Sequence, residues 1–151
     1  MTGQPQLECP IPVTTVLNID MTDLQVTDTG GTPSNLIIDA GASFKVSATF
    51  LIGGTSTAGF KLTGAPFTVD YYYEGYGSAP EGALGTVGGN SGMGVNSATC
   101  AGAQEYSGPA VTELTVPPLT LTPGLYKLSA MVNFGPWALF GFVDGPVIQQ
   151  L

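Results

Sequence analysis

The chain has 151 residues, enough for one domain around a single core. Hydrophobic residues make up 43% of it, but charged residues only 9%, against about 25% in a typical globular protein. The net charge is −8, the basic residues are Lys45, Lys61 and Lys127, and Arg is absent. Binding to nucleic acid and attraction to anionic lipid both need clustered Lys or Arg, so both are excluded.

A surface so poor in charge must be covered by Thr, Ser, Gly, Asn and Gln. Two readings compete for it: burial against copies of the same chain, and work outside the cell, where Thr-rich β-domains are common. The bland third is a neutral surface that drifted without selection. The most apolar stretch, Leu36 to Ile52, is broken by Asp39 and Lys45, so no membrane span is expected. Residues 1–12 lack the basic and apolar regions of a signal peptide. The chain is then intracellular, or a leader was removed, or export takes another route; an extracellular or cell-surface setting is the favoured expectation.

In chain order, residues 1–12 read as an extended, Pro-containing arm and 13–151 as a single β-sandwich domain. Period-2 alternation recurs and no helical period does. Val13 to Ile19 reads as the first strand, with a short strand at Leu24 to Thr27. Asp28 to Asn35 is turn chemistry. Leu36 to Ile38 forms a short strand. Ser43 to Ile52 is the clearest strand, with Phe44, Val46, Ala48, Phe50 and Ile52 on the core face. Phe67 to Glu74 follows, with Phe67, Val69, Tyr71 and Tyr73 opposed to Thr68, Asp70, Tyr72 and Glu74. Gly75 to Gly108 is rich in Gly and Ser and reads as a long loop region with room for short edge strands. Ala110 to Val116 alternates again.

Leu121-Thr-Pro-Gly-Leu-Tyr126 then leads into a strand whose even positions, Tyr126, Leu128, Ala130, Val132 and Phe134, share one face. A Leu-x-Pro-Gly-x-Tyr run before a strand resembles the tyrosine corner of immunoglobulin-like and fibronectin type III-like sandwiches, bacterial ones included. The resemblance implies a two-sheet antiparallel immunoglobulin-like sandwich with Greek-key connections, in which the Tyr126 hydroxyl bonds back to the backbone. It implies a superfold and no particular activity. The antibody-type pairing of core cysteines around a strand Trp is absent, because Trp137 lies near the end. The last strand spans Ala138 to Ile148, with Pro146 permitted only at an edge or bulge.

Cys9 and Cys100 allow one disulfide, which would contribute on the order of 4–5 kcal/mol in the chain-entropy model. The other reading is two separate buried thiols. Their loop-like surroundings, beside Pro or Gly, favour the bridge. No CxxC spacing suggests a metal site.

The chain contains no His, so nucleophilic triads and His metal sites are excluded. Without Arg there is no guanidinium clamp for phosphate. The run Gly75 to Gly94 lacks the Lys and following helix of a phosphate loop and reads as a flexible loop. Asp70 and Glu74 share a strand face about 13 Å apart, too far for a catalytic carboxylate pair. The chain therefore reads as a non-enzyme without a cofactor. Asp20, Asp23 and Asp28 cluster beside Thr and Gly as the one set of candidate calcium ligands, but their spacing does not fit an EF-hand. Solvated turn aspartates account for them.

Two candidate surfaces remain. The exposed tyrosines Tyr72 and Tyr76 are candidates for stacking on a ligand such as a glycan. The last strand has apolar residues on both faces, with Trp137, Leu139 and Val143 on one and Phe140 and Phe142 on the other. The face left over after the core is filled is a candidate interface. The leading expectation is a structural or interaction subunit that self-assembles or docks into a filament- or particle-like assembly. The alternative is a carbohydrate- or ligand-binding module.

Overall fold

A computed structural model describes residues 17–28, 36–54, 66–90, 105–106, 110–134 and 139–151. All regular structure among them is β: β1 (Leu17–Asp28), β2 (Ile37–Ile38), β3 (Phe44–Gly54), β4 (Pro66–Gly75), β5 (Gly82–Asn90), β6 (Glu105–Tyr106), β7 (Ala110–Val116), β8 (Gly124–Phe134) and β9 (Leu139–Gln150). They form two sheets. In one, β3 pairs with β1 on one edge and with β6 and β7 on the other. The second has the order β2-β9-β8-β4-β5, antiparallel except for the β2-β9 pair.

The core lies between the sheets. The alternation of β3 and β8 decides it: Phe44, Val46, Ala48 and Phe50 face Tyr126, Leu128, Ala130, Val132 and Phe134, and all are buried. Val69 and Tyr71 of β4, Met21, Leu24 and Val26 of β1, and Val116 of β7 complete it. Phe50, Phe67 and Phe134 meet at 5.2 to 6.1 Å between ring centres, a spacing that favours edge contacts over stacking.

Tyr126 occupies the corner that the sequence pattern implies. Its ring is fully buried, and its hydroxyl donates to the Thr122 carbonyl at 2.8 Å. This is an immunoglobulin-like sandwich. A second buried phenol joins the two sheets directly. Tyr71 on β4 donates to the Thr112 carbonyl on β7 at 2.9 Å and lies 2.8 Å from the Thr112 hydroxyl.

The structure corrects two local expectations. The first two expected strands are a single strand over the described part, because Asp23 takes a left-handed conformation (φ 64°) and accommodates a bulge between Thr22 and Leu24. Asp, among non-glycine residues, tolerates that conformation, so an apparent turn signal marks a kink within a strand. The Gly-rich run is also no flexible loop over 82–90, since β5 pairs along β4. Its glycines stand opposite aromatic residues: Gly82 pairs with Tyr73 and Gly89 with Phe67. A Cβ at Gly82 would lie 2.8 Å from the Tyr73 hydroxyl, and one at Gly89 would lie 3.1 Å from the Phe67 ring. The partner rings cover these glycines, so side-chain alternation is missing where pairing is present.

Pro146 follows the rule for strands. The β8-β9 register shifts between Lys127 and Ser129, which places Gly145 and Pro146 in a bulge.

Candidate functional site

The outer face of the β2-β9-β8-β4-β5 sheet is defined by register. On β9 it presents Phe140, Phe142, Asp144 and, beyond the bulge, Val147. Across β8 these pair with Asn133, Met131, Ser129 and Lys127. Across β4 the same rows continue through Thr68, Asp70, Tyr72 and Glu74. The two surfaces read separately from the sequence, Tyr72 and the Phe140–Phe142 pair, are therefore parts of one face.

Its β9 side carries the largest exposed apolar residues, beside Asp144. Phe140 is 54% exposed and Phe142 60%. Val147, Leu125 and Ile37 extend the exposed apolar surface toward the β2 edge. The described inward positions of β9 are Gly141, Val143, Gly145 and Ile148. Val143 packs on the core and Ile148 is buried, but Gly141 and Gly145 have β1 lying against them. A Cβ at Gly141 would lie 2.5 Å from Ile19 and 2.9 Å from Met21. Phe140 and Phe142 alternate with Gly141 and Val143 along β9 and so project from its outer face.

The β4–β5 side is polar and concave. Tyr72, Tyr73, Glu74, Glu81, Gly82, Ala83 and Ser129 line an open groove of about 620 Å³. The cross-strand neighbours of Tyr72 are Ala83 and Ser129, both small. Tyr71 and Tyr73 point the other way, Tyr71 into the core and Tyr73 edge-on to Tyr126 at 5.6 Å. Tyr76 is exposed in the turn after β4 and does not line the groove.

Burial pushes the Tyr71 phenol above its usual value, against the lowering effect of its bond to Thr112. That bond is a structural tie between the two sheets.

The candidate calcium ligands are not brought together. Asp20, Asp23 and Asp28 are strung along β1, the outer two roughly 25 Å apart by strand rise. Asp23 accepts a bond from Gln25 Nε2 at 2.9 Å. Trp137, Cys9, Cys100 and the arm 1–12 lie outside the described residues, and for Leu139 only its strand position is described. Sequence reasoning missed Glu81, Ala83 and Ser129 as neighbours of Tyr72. Only the register of three strands joins them, and no local pattern signals it.

Comparison with protein-family models finds no match, and comparison with curated proteins finds none either. Solved structures do share the fold. The C-terminal domain of Wzt aligns over 97% of this chain and 83% of its own, with 9% identity and a TM-score of 0.52. A CARDB domain from Pyrococcus furiosus, solved with di-metal ions, aligns over 99% of this chain and all of its own, with 9% identity and a TM-score of 0.42. At such identity the similarity to the Wzt domain establishes one thing: the chain has an immunoglobulin-like β-sandwich fold.

Proposed function

We propose that this chain is a non-catalytic β-sandwich subunit that associates with copies of itself through the outer face of the β2-β9-β8-β4-β5 sheet. One observation carries the reading: Phe140 and Phe142, each more than half exposed, project side by side from β9 next to Met131. Left in water, such a patch is a liability for a monomer; covered, it drives association. The face spans five strands and, along β8, eleven residues. At ordinary strand spacing and rise that is on the order of 800 Å², one partner's share of a standard interface. The charged residues of this face, Asp70, Glu74, Lys127 and Asp144, flank the Phe140–Phe142 pair, as polar residues flank the apolar centre of an interface. The lack of His and Arg supports a role without catalysis.

Sedimentation velocity over a wide concentration range tests this. The wild type is expected to shift to larger species as concentration rises, and Phe142→Ser to remain monomeric with an unchanged circular dichroism spectrum. A wild type that stays monomeric throughout refutes the proposal.

A further inference from the structure

We propose that the free edge of β5 is a second contact between copies of this chain, one that joins pairs already formed through the outer face and so rests on that association. Four long strands have a side without a strand partner among the described residues: β1, β7, β5 and, beyond the two residues beside β2, β9. Three of these edges are blunted against pairing. β1 carries Asp20, Asp23 and Asp28 and the bulge at Asp23. β7 carries Glu113 and runs into Pro117 and Pro118. β9 is interrupted by the bulge at Gly145 and Pro146. β5 has no charged residue and no proline from Gly82 to Asn90. Its irregularity lies at its start, between Ala83 and Gly85, and the register with β4 is regular from Gly85 to Asn90. Among the described residues no backbone hydrogen bond outside the β4 ladder reaches β5. Thr86, Gly88 and Gly89 are exposed.

This edge suits a second copy of itself. Copies that each carry −8 repel, and an uncharged strand is where their backbones can meet. Identical edges pair antiparallel about a twofold axis, and here no like charges come to face each other. A Cβ at Gly88 would meet only the Phe67 carbonyl oxygen, at 3.7 Å, so packing within the chain does not require glycine there. A bare backbone favours the close approach of another backbone. The edge lies in the plane of the sheet and the outer face along its normal, so one copy can hold a neighbour at each. Gly85 to Asn90 runs about 20 Å by strand rise, and a two-stranded contact of that length is marginal in water. A lone edge therefore does not hold two monomers together, whereas an outer-face pair brings two edges that engage at once.

Sedimentation velocity and amide hydrogen exchange test this. The wild type is expected to form pairs and then larger species. Gly88→Lys places a charge on each edge and is expected to keep the pairs while weakening the larger species about tenfold; Gly88→Ala should assemble as the wild type does. Mixing Gly88→Lys with Gly88→Glu in equal amounts should restore the larger species, which a folding defect would not allow. Every second amide from Gly85 to Asn90 should exchange freely in monomeric Phe142→Ser and about tenfold more slowly in the wild-type assembly. A wild type that stops at pairs overturns the edge contact and leaves the outer-face reading standing; one that stays monomeric overturns both. The edge contact is also overturned if Gly88→Lys assembles as the wild type does or loses its pairs, if the mixture restores nothing, or if exchange along β5 is unchanged by assembly.

Discussion

Replacing Tyr71 with Phe isolates the polar tie between the sheets. Tyr71 is 1% exposed and Thr112 6%, so water does not replace the lost partner at either end. The substitution removes the hydroxyl that donates to the Thr112 carbonyl and contacts the Thr112 hydroxyl. The Thr112 hydroxyl keeps only a long contact to the Ala48 carbonyl, at 3.4 Å. Leaving a buried acceptor unpaired costs about 1–3 kcal/mol. At about 2–4 °C per kcal/mol for a domain of this size, the melting temperature should fall by roughly 6 °C. Thr112→Val removes the other hydroxyl and should cost about 1 kcal/mol on its own. Because the two groups touch, their effects should not add, and the double variant should show a coupling of about 1 kcal/mol. Guanidinium unfolding is the assay, with the midpoint shifting and the slope unchanged. A Tyr71→Phe cost below about 0.5 kcal/mol, or strictly additive effects, would sink the argument that this bond ties the sheets.

The other expectations follow from single sites. Tyr126→Phe should cost only about 1 kcal/mol in the same assay, because Thr122 at the other end of its bond is exposed and regains water. Gly141→Ala should destabilise by about 1–3 kcal/mol by driving a methyl group into Ile19, Met21 and Val132; an unchanged midpoint would show that β1 does not lie against β9. Leu119 is 86% exposed with a left-handed backbone (φ 64°), so Leu119→Gly should raise the melting temperature by relieving about 1 kcal/mol of strain. The pH dependence follows from the raised Tyr71 pKa. Below the ordinary tyrosine value near 10, the phenol is neutral in both folded and unfolded chains and the full stability is present. As the pH rises through and above that value, the unfolded chain ionises first, so stability falls until the folded phenol also ionises. Denaturation midpoints measured from neutral to strongly alkaline pH should show this decline, and Tyr71→Phe should reduce it.

Much of the architecture was legible before any coordinates, and the reason is local. A strand buried on one side must alternate, and Phe44 to Phe50 and Tyr126 to Phe134 alternate without a break. Their faces, the corner at Tyr126 and the outward turn of Tyr72 follow from a two-residue period and a turn motif. The Gly-rich strand β5 was legible only as room for a short edge strand, without place or length, because its glycines lie beneath the rings of Phe67 and Tyr73. What makes those positions strand-like belongs to the neighbouring strand. Asp23 misled for a similar reason, since a residue suited to a turn serves equally in a bulge.

By itself, then, the sequence determined the fold class, the core faces, and a chemistry without imidazole or guanidinium groups. Tertiary structure alone decided that Tyr71 ties the sheets through Thr112 and that β1 closes over Gly141 and Gly145. It alone placed the phenylalanines of β9 and the groove around Tyr72 on one surface. Side-chain period is a property of a single strand. Which strands lie side by side, and in what register, depends on hydrogen bonds and packing between residues far apart in the chain.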